Sequence, residues 1–175
     1  IRLDANNLEA YLGRASVYAE LKNDSRAIAD YQRVLALDPN VAKAHIELGQ
    51  FFLRQGTIEA AQLHYEKAIQ IDPNLAQAHA VLGAIYSEHG EQDRAIESYR
   101  HAIALHPEHA EVLNNLAWLY AENGIHLDEA LKLAEKAVSI YPHPVHLDTL
   151  AWVYYKQGEY RLAEATIRKA LGFDP

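Results

Sequence analysis

Five aromatic residues, Tyr18, Phe52, Tyr86, Tyr120 and Tyr154, follow one another at intervals of 34 residues. Self-similarity at that period marks a stack of helical hairpins, in which each unit buries its apolar face only against its neighbours. Other columns keep the same phase: Leu48, Leu82, Leu116 and Leu150; the small residues Ala15, Gly49, Gly83, Ala117 and Ala151; and Gly56, Gly90, Gly124 and Gly158. A second set comprises Ala27, Ala61, Ala95, Ala130 and Ala163, followed by Pro39, Pro73, Pro107, Pro142 and Pro175. The spacing slips once, by a residue gained in the turn at 125–129, and a link one residue shorter between Pro142 and Leu147 cancels it. Every first helix thereby stays on the period, as expected if stacking of first helices is what the fold must keep.

The helix signals agree. Tyr11, Ala15, Tyr18 and Ala19 share one helical face, and Ala27, Ile28, Tyr31, Val34 and Leu35 share another after the Asn23-Asp24-Ser25 cluster. Asp24 or Ser25 is the expected cap of that second helix. The glycine column ends each later first helix, because a left-handed terminal residue costs glycine least. Proline then stops each second helix, since it cannot continue the backbone ladder. Gly49 is expected to face Ala61 and Ala68, and Gly83 to face Ala95 and Ala102. Two helix axes then approach closely while Phe52, Tyr65, Tyr86 and Tyr99 fill the space between units.

Composition narrows the role. The formal charge of -8 argues against nucleic acid, which calls for a basic stripe to meet phosphate. No run approaches the ~18–20 apolar residues of a membrane-spanning helix, so no membrane insertion is expected. Cysteine is absent, which excludes disulfides and thiolate metal sites and leaves the compartment open. No phosphate-binding glycine loop, zinc-binding His-Glu-x-x-His helix or nucleophile elbow is present, so no catalysis and no cofactor are expected. His106, His109, His143 and His146 lie beside prolines in successive links and read either as exposed turn residues or as a zinc or nickel edge. His45 and His79 occupy a large-residue column and are expected to pack.

The columns resemble the tetratricopeptide repeat family, whose pattern is matched by His79, Leu82-Gly83, Tyr86, Ala95, Tyr99 and Pro107. The chain departs from it where the family's first-column tryptophan is replaced by Tyr11, His45, His79, Leu113 and Leu147, and where Ala134 and Ile167 replace the second aromatic. The runs within residues 114–155 are also similar to repeats of large bacterial members. The resemblance implies an all-α, right-handed solenoid of antiparallel helix-turn-helix repeats. It divides the chain into one array of five repeats, 8–41, 42–75, 76–109, 110–143 and 144–175, with 1–7 closing a preceding one. The array is expected to be cut from a longer chain, leaving Ile167, Leu171 and Phe173 uncovered and available for self-association.

The family uses the concave groove lined by first helices to hold a partner peptide or helix. Carried over by position, the groove residues are Leu12, Ser16, Ile46, Gln50, Leu53, Ala80, Val81 and Ala84 in the first three repeats. In the last two they are Asn114, Asn115, Trp118, Ala121, Asp148, Thr149, Trp152 and Tyr155. The family's carboxylate clamp finds no cationic pair in any window; the first supplies only Leu12, Ser16, Glu47, Gln77 and Val81. Groove charges are mostly acidic, including Glu47, Glu88, Glu111, Glu122 and Asp148, so a neutral or basic polypeptide is the expected partner. Trp118 and Trp152, the only tryptophans, either read a partner or pack between first helices. Asn115 offers a donor and an acceptor to a peptide amide. The alternative role is a structural spacer or assembly arm.

Overall fold

The computed structural model describes residues 7–172, and among the described residues there are ten α-helices and no strand. The first helices are α1 (Leu8–Glu20), α3 (Ala42–Arg54), α5 (Ala76–Glu88), α7 (Ala110–Asn123) and α9 (Pro144–Gln157), each beginning 34 residues after the last. The second helices are α2 (Asp24–Leu37), α4 (Ile58–Ile71), α6 (Gln92–Leu105), α8 (Leu127–Ile140) and α10 (Tyr160–Ala170). The fold is all-α, built of consecutive helix-turn-helix hairpins. Two compact units are distinguished, Ile1–Leu82 and Gly83–Pro175.

In the first unit α1 packs on α2, α2 on α3 and α3 on α4. Its core joins Ala15, Ala27, Tyr31, Val34, Ala44, Leu48 and Phe51. Tyr31 and Phe51 meet in tilted contact at 6.2 Å between centroids, linking one repeat to the next. Asp30 is buried, and Arg14 satisfies it with two hydrogen bonds of 2.7 Å, from Nε to Oδ2 and from Nη2 to Oδ1. The guanidinium lies 5.4 Å from the Tyr11 centroid and 5.9 Å from that of Tyr18. A buried carboxylate needs such pairing to remain ionised.

In the second unit α6 packs on α7, α7 on α8, α8 on α9, α7 on α9, and α9 on α10. Leu113, Leu116, Ala117, Tyr120, Ala130, Ala134 and Val153 are fully enclosed. The extra residue of the slipped turn is absorbed by two left-handed positions, Gly124 (φ 66°) and His126 (φ 48°), and α8 begins at Leu127. The acidic pair Asp128 and Glu129 is expected from the sequence to open a helix, and it does. Asp128 and Glu129 lie in that first turn, where negative charge suits the helix dipole.

The small-residue column works differently from the sequence-based expectation. A Cβ added at Gly49 would come within 2.8 Å of the Tyr65 ring, and one at Gly83 within 2.6 Å of the Tyr99 ring. These glycines make room for a buried tyrosine of the same hairpin, a neighbour that the alanine-facing expectation did not name. The cap also differs: Asn23, neither Asp24 nor Ser25, accepts from the Arg26 amide, because α2 starts one residue earlier than expected. The glycine column behaves as expected at Gly56, Gly90, Gly124 and Gly158. In the first hairpin the same column holds Lys22 at φ 57°, a conformation an L side chain adopts at a cost. Phe173, Pro175 and residues 1–6, all used in the sequence reading, lie outside the described residues.

Candidate functional site

The seven groove residues singled out in the sequence come from two helices in contact, α7 and α9 of the second unit. Asn114 and Trp118 are one turn apart on α7, and Asp148, Trp152 and Tyr155 follow at helical spacing on α9. Trp118 is 44% exposed and Tyr155 51%, and both belong to the walls of open hollows. Asn115 and Asp148 are exposed, and Trp152 is half-buried. Asn114 and Thr149 are buried, so they form a floor and not a rim. Ala121, also placed in the groove by position, is fully enclosed.

Two hollows open on this surface and share Trp118 and Asp148 as walls. The smaller, about 370 Å³, lies between Ser87 and Glu88 of α5, Tyr99 of α6, Asn114 and Asn115 of α7, and Val145 and Thr149 of α9. Burial pushes the Tyr99 phenol up to about 12, with Asn115 acting in the opposite direction, so its hydroxyl stays protonated at neutral pH. Asn114 Oδ1 is buried with no hydrogen-bond partner. A buried acceptor left unpaired costs free energy that a donor on a ligand or a water can recover.

The larger hollow, about 660 Å³, is walled by Trp118, Trp152, Tyr155 and Tyr160, with Ala151, Ala163 and Ile167 beneath and Glu122, Asp148 and Glu164 around it. Trp152 and Tyr155 stack at 5.2 Å with planes 9° apart, and Tyr160 meets Tyr155 edge-on at 5.5 Å. Lys156 Nζ lies 4.8 Å from the Trp152 ring centroid and donates to the Glu122 carbonyl oxygen at 3.2 Å. Trp152 Nε1 is a buried donor with no partner. Tyr160, Ala163 and Glu164 escaped the sequence reading because it took the groove from first helices alone. Tyr160 nonetheless differs from Asp24, Ile58, Gln92 and Leu127, which open the other second helices.

Five histidines make structural contacts. His45 and His79 are buried, and their Nε2 atoms lie 3.1 and 3.0 Å from the carbonyl oxygens of Pro39 and Pro73. His45 Nδ1 is also 2.9 Å from His64 Nδ1. With its Nε2–H donating to Pro39, His45 accepts at Nδ1 and His64 donates. Burial lowers the pKa of both imidazoles. His146, expected either exposed or as a ligand, is buried, with Nδ1 2.8 Å from the Tyr141 carbonyl oxygen. His143 Nδ1 accepts from the Val145 amide at the start of α9. Among the described residues no three His, Asp or Glu side chains are grouped as a metal ion requires.

Residues 15–56, 49–90 and 83–124 match a family described as TPR repeat, and residues 109–141 and 147–175 match families described as tetratricopeptide repeat. The chain belongs to the tetratricopeptide repeat family. Two crystal structures of MamA are similar to it, with TM-scores of 0.82 and 0.78 and identities of 26% and 29%. They cover 95% and 88% of this chain and 91% of each MamA chain. YrrB, described as a TPR protein with an unusual peptide-binding site, has a TM-score of 0.86 at 21% identity, over 97% of this chain and 88% of its own. At that identity the likeness to YrrB carries the fold alone. No curated protein sequence matches the chain. TPR membership supports a general protein-binding role, and such folds are typically non-catalytic. No described helix is long and apolar enough to cross a membrane.

Proposed function

We propose that this TPR chain is one array of five repeats, 8–41 to 144–175, acting as a non-catalytic scaffold. It holds an extended or helical segment of a neutral or basic partner protein against Asn114, Asn115, Trp118, Asp148, Thr149, Trp152 and Tyr155. The observation that carries this reading is Trp118, a large ring 44% exposed between two hollows, one of which has the unpaired Asn114 Oδ1 in its floor. An exposed indole beside unpaired polar atoms supplies both parts of peptide recognition: apolar area for a side chain and a hydrogen-bonding group for the amide. The carboxylates of Asp148 and Glu122, which have no ion-pair partner among the described residues, favour a basic or neutral segment over an acidic one.

The test is selection of a displayed peptide library on the wild-type chain, followed by titration of the selected peptides against the Asn115→Ala/Trp118→Ala variant. Binding is expected to vanish while helicity and the unfolding midpoint stay unchanged. Undiminished affinity in the double variant removes the site assignment. The assembly-arm reading draws on Leu171, 63% exposed just after α10. It requires concentration-dependent association that Leu171→Gln abolishes, and a monomer at every concentration ends it.

A further inference from the structure

The larger hollow is more specific than a groove for any peptide. Comparing its residues with their counterparts one repeat earlier shows why. At the positions of Tyr155 and Glu164, the preceding repeat carries Ala121, fully enclosed, and Leu131. The earlier second helices place Ile28, Gln62 and Ile96 in the column of Glu164. Where the fourth repeat offers a small and an apolar residue, the fifth thus presents a tyrosine ring and a carboxylate.

What the hollow does fit is a flat cation. Tryptophan is the strongest side-chain partner for a cation held over its ring, and tyrosine follows. The near-parallel Trp152 and Tyr155 rings form a ledge, and Tyr160 stands edge-on to it. Arg168 engages Glu164 at 2.7 Å, whereas the carboxylates of Glu122 and Asp148 have no cationic partner among the described residues. Among the described residues no lysine or arginine lines the hollow, and Lys156, whose Nζ lies 4.8 Å from the Trp152 ring centroid, is outside that lining.

We propose that this hollow is an arginine-reading subsite for a partner polypeptide, with the guanidinium on the Trp152–Tyr155 ledge and Glu122 and Asp148 as acceptors. Arginine suits it better than lysine because the guanidinium is planar, is weakly hydrated and presents a fork of donors to carboxylates. The chain builds the same combination internally, where Arg14 lies near the Tyr11 and Tyr18 rings and bonds Asp30 through two nitrogens. This inference rests on the groove reading and adds the chemistry of one partner residue to it.

The experiment follows the two indole N–H resonances during titration with N-acetyl-arginine amide and, separately, with N-acetyl-citrulline amide, which has nearly the same shape without the charge. The arginine probe is expected to shift the Trp152 signal saturably at ~1–10 mM, an affinity fitting one side chain. Citrulline should bind at least about tenfold more weakly. Glu122→Gln/Asp148→Asn should lower the arginine response to the citrulline level, leave the citrulline response unchanged, and preserve helicity. Equal responses to the two probes, an arginine response indifferent to the double variant, or no response at all each overturn the subsite. Failure of the groove reading is separately visible: if library-selected peptides still bind in an Asn115-dependent way while the arginine probe is silent, the subsite alone falls. If neither binds, both fall.

Discussion

Two hollows of the same volume, about 660 Å³ each, one in either unit, differ in whether their polar groups are already satisfied. In the first unit, His45, His64, Leu63 and Lys67 surround a space whose central pair is closed on itself, each His45 nitrogen having a partner. In the second unit, four aromatic rings and three carboxylates surround a space with a buried indole N–H that has no acceptor. Volume alone therefore does not separate the two hollows; apolar area flanked by carboxylates is what recommends the second as the proposed site.

The sharpest way to break this contrast is to truncate one side chain in each hollow. Trp118→Ala should cost a selected peptide ~2–4 kcal/mol of binding, as central aromatic anchors do. Leu63→Ala, on the first-unit hollow, should change the same calorimetric titration by less than ~0.5 kcal/mol. Equal losses would erase the distinction between the two sites.

The paired glycines come next. Gly49→Ala and Gly83→Ala each drive a methyl group into a buried tyrosine ring, so each should lower stability by ~1–3 kcal/mol in denaturant unfolding. Only Gly83→Ala should also weaken peptide binding, since Tyr99 is a wall of the asparagine hollow and Tyr65 touches neither groove hollow. Loss of binding in both variants would point to a global effect.

A smaller effect is expected from the histidine pair. Folding lowers both imidazole pKa values from the ordinary 6.5, by burial first, with Lys67 adding to the effect at His45 and His45 at His64. The folded chain then binds fewer protons than the unfolded chain just below that value, so stability rises with pH there. The contribution is complete above the ordinary value and is lost as pH falls through the lowered ones. Unfolding midpoints measured from neutral to mildly acidic pH should fall accordingly. His64→Gln, which retains a donor for His45, should flatten the slope. An unchanged slope would show that the pair does not titrate on folding.

The least effect should come from Lys22→Gly, which relieves the left-handed residue of the first turn and should add ~0.5–1 kcal/mol to stability. A gain in the thermal midpoint with unaltered peptide affinity would match a change confined to the first unit.

Much of this molecule was legible in the chain before any coordinate. The 34-residue columns placed all five hairpins, and the compensated slip was visible as one residue gained and one lost. Periodicity also put Asn114, Trp118, Asp148 and Trp152 on related faces of α7 and α9, because side-chain direction along a helix is fixed by residue number. The reading missed α10's share of the larger hollow, since a rule naming first helices says nothing of what an adjoining second helix contributes.

Local backbone preference and a 3.6-residue repeat made the helical segments and most inward faces legible in the chain, though not the enclosure of Asn114, Ala121, His146 or Thr149. What lies opposite each face came from packing: a tyrosine ring over Gly49 and Gly83, a second imidazole beside His45, an open hollow next to Trp118 and none at Ala121. Helical phase sets the direction of a side chain. Whether that direction ends in solvent, a ring or an unpaired atom depends on residues distant in the sequence, which meet only when the hairpins pack.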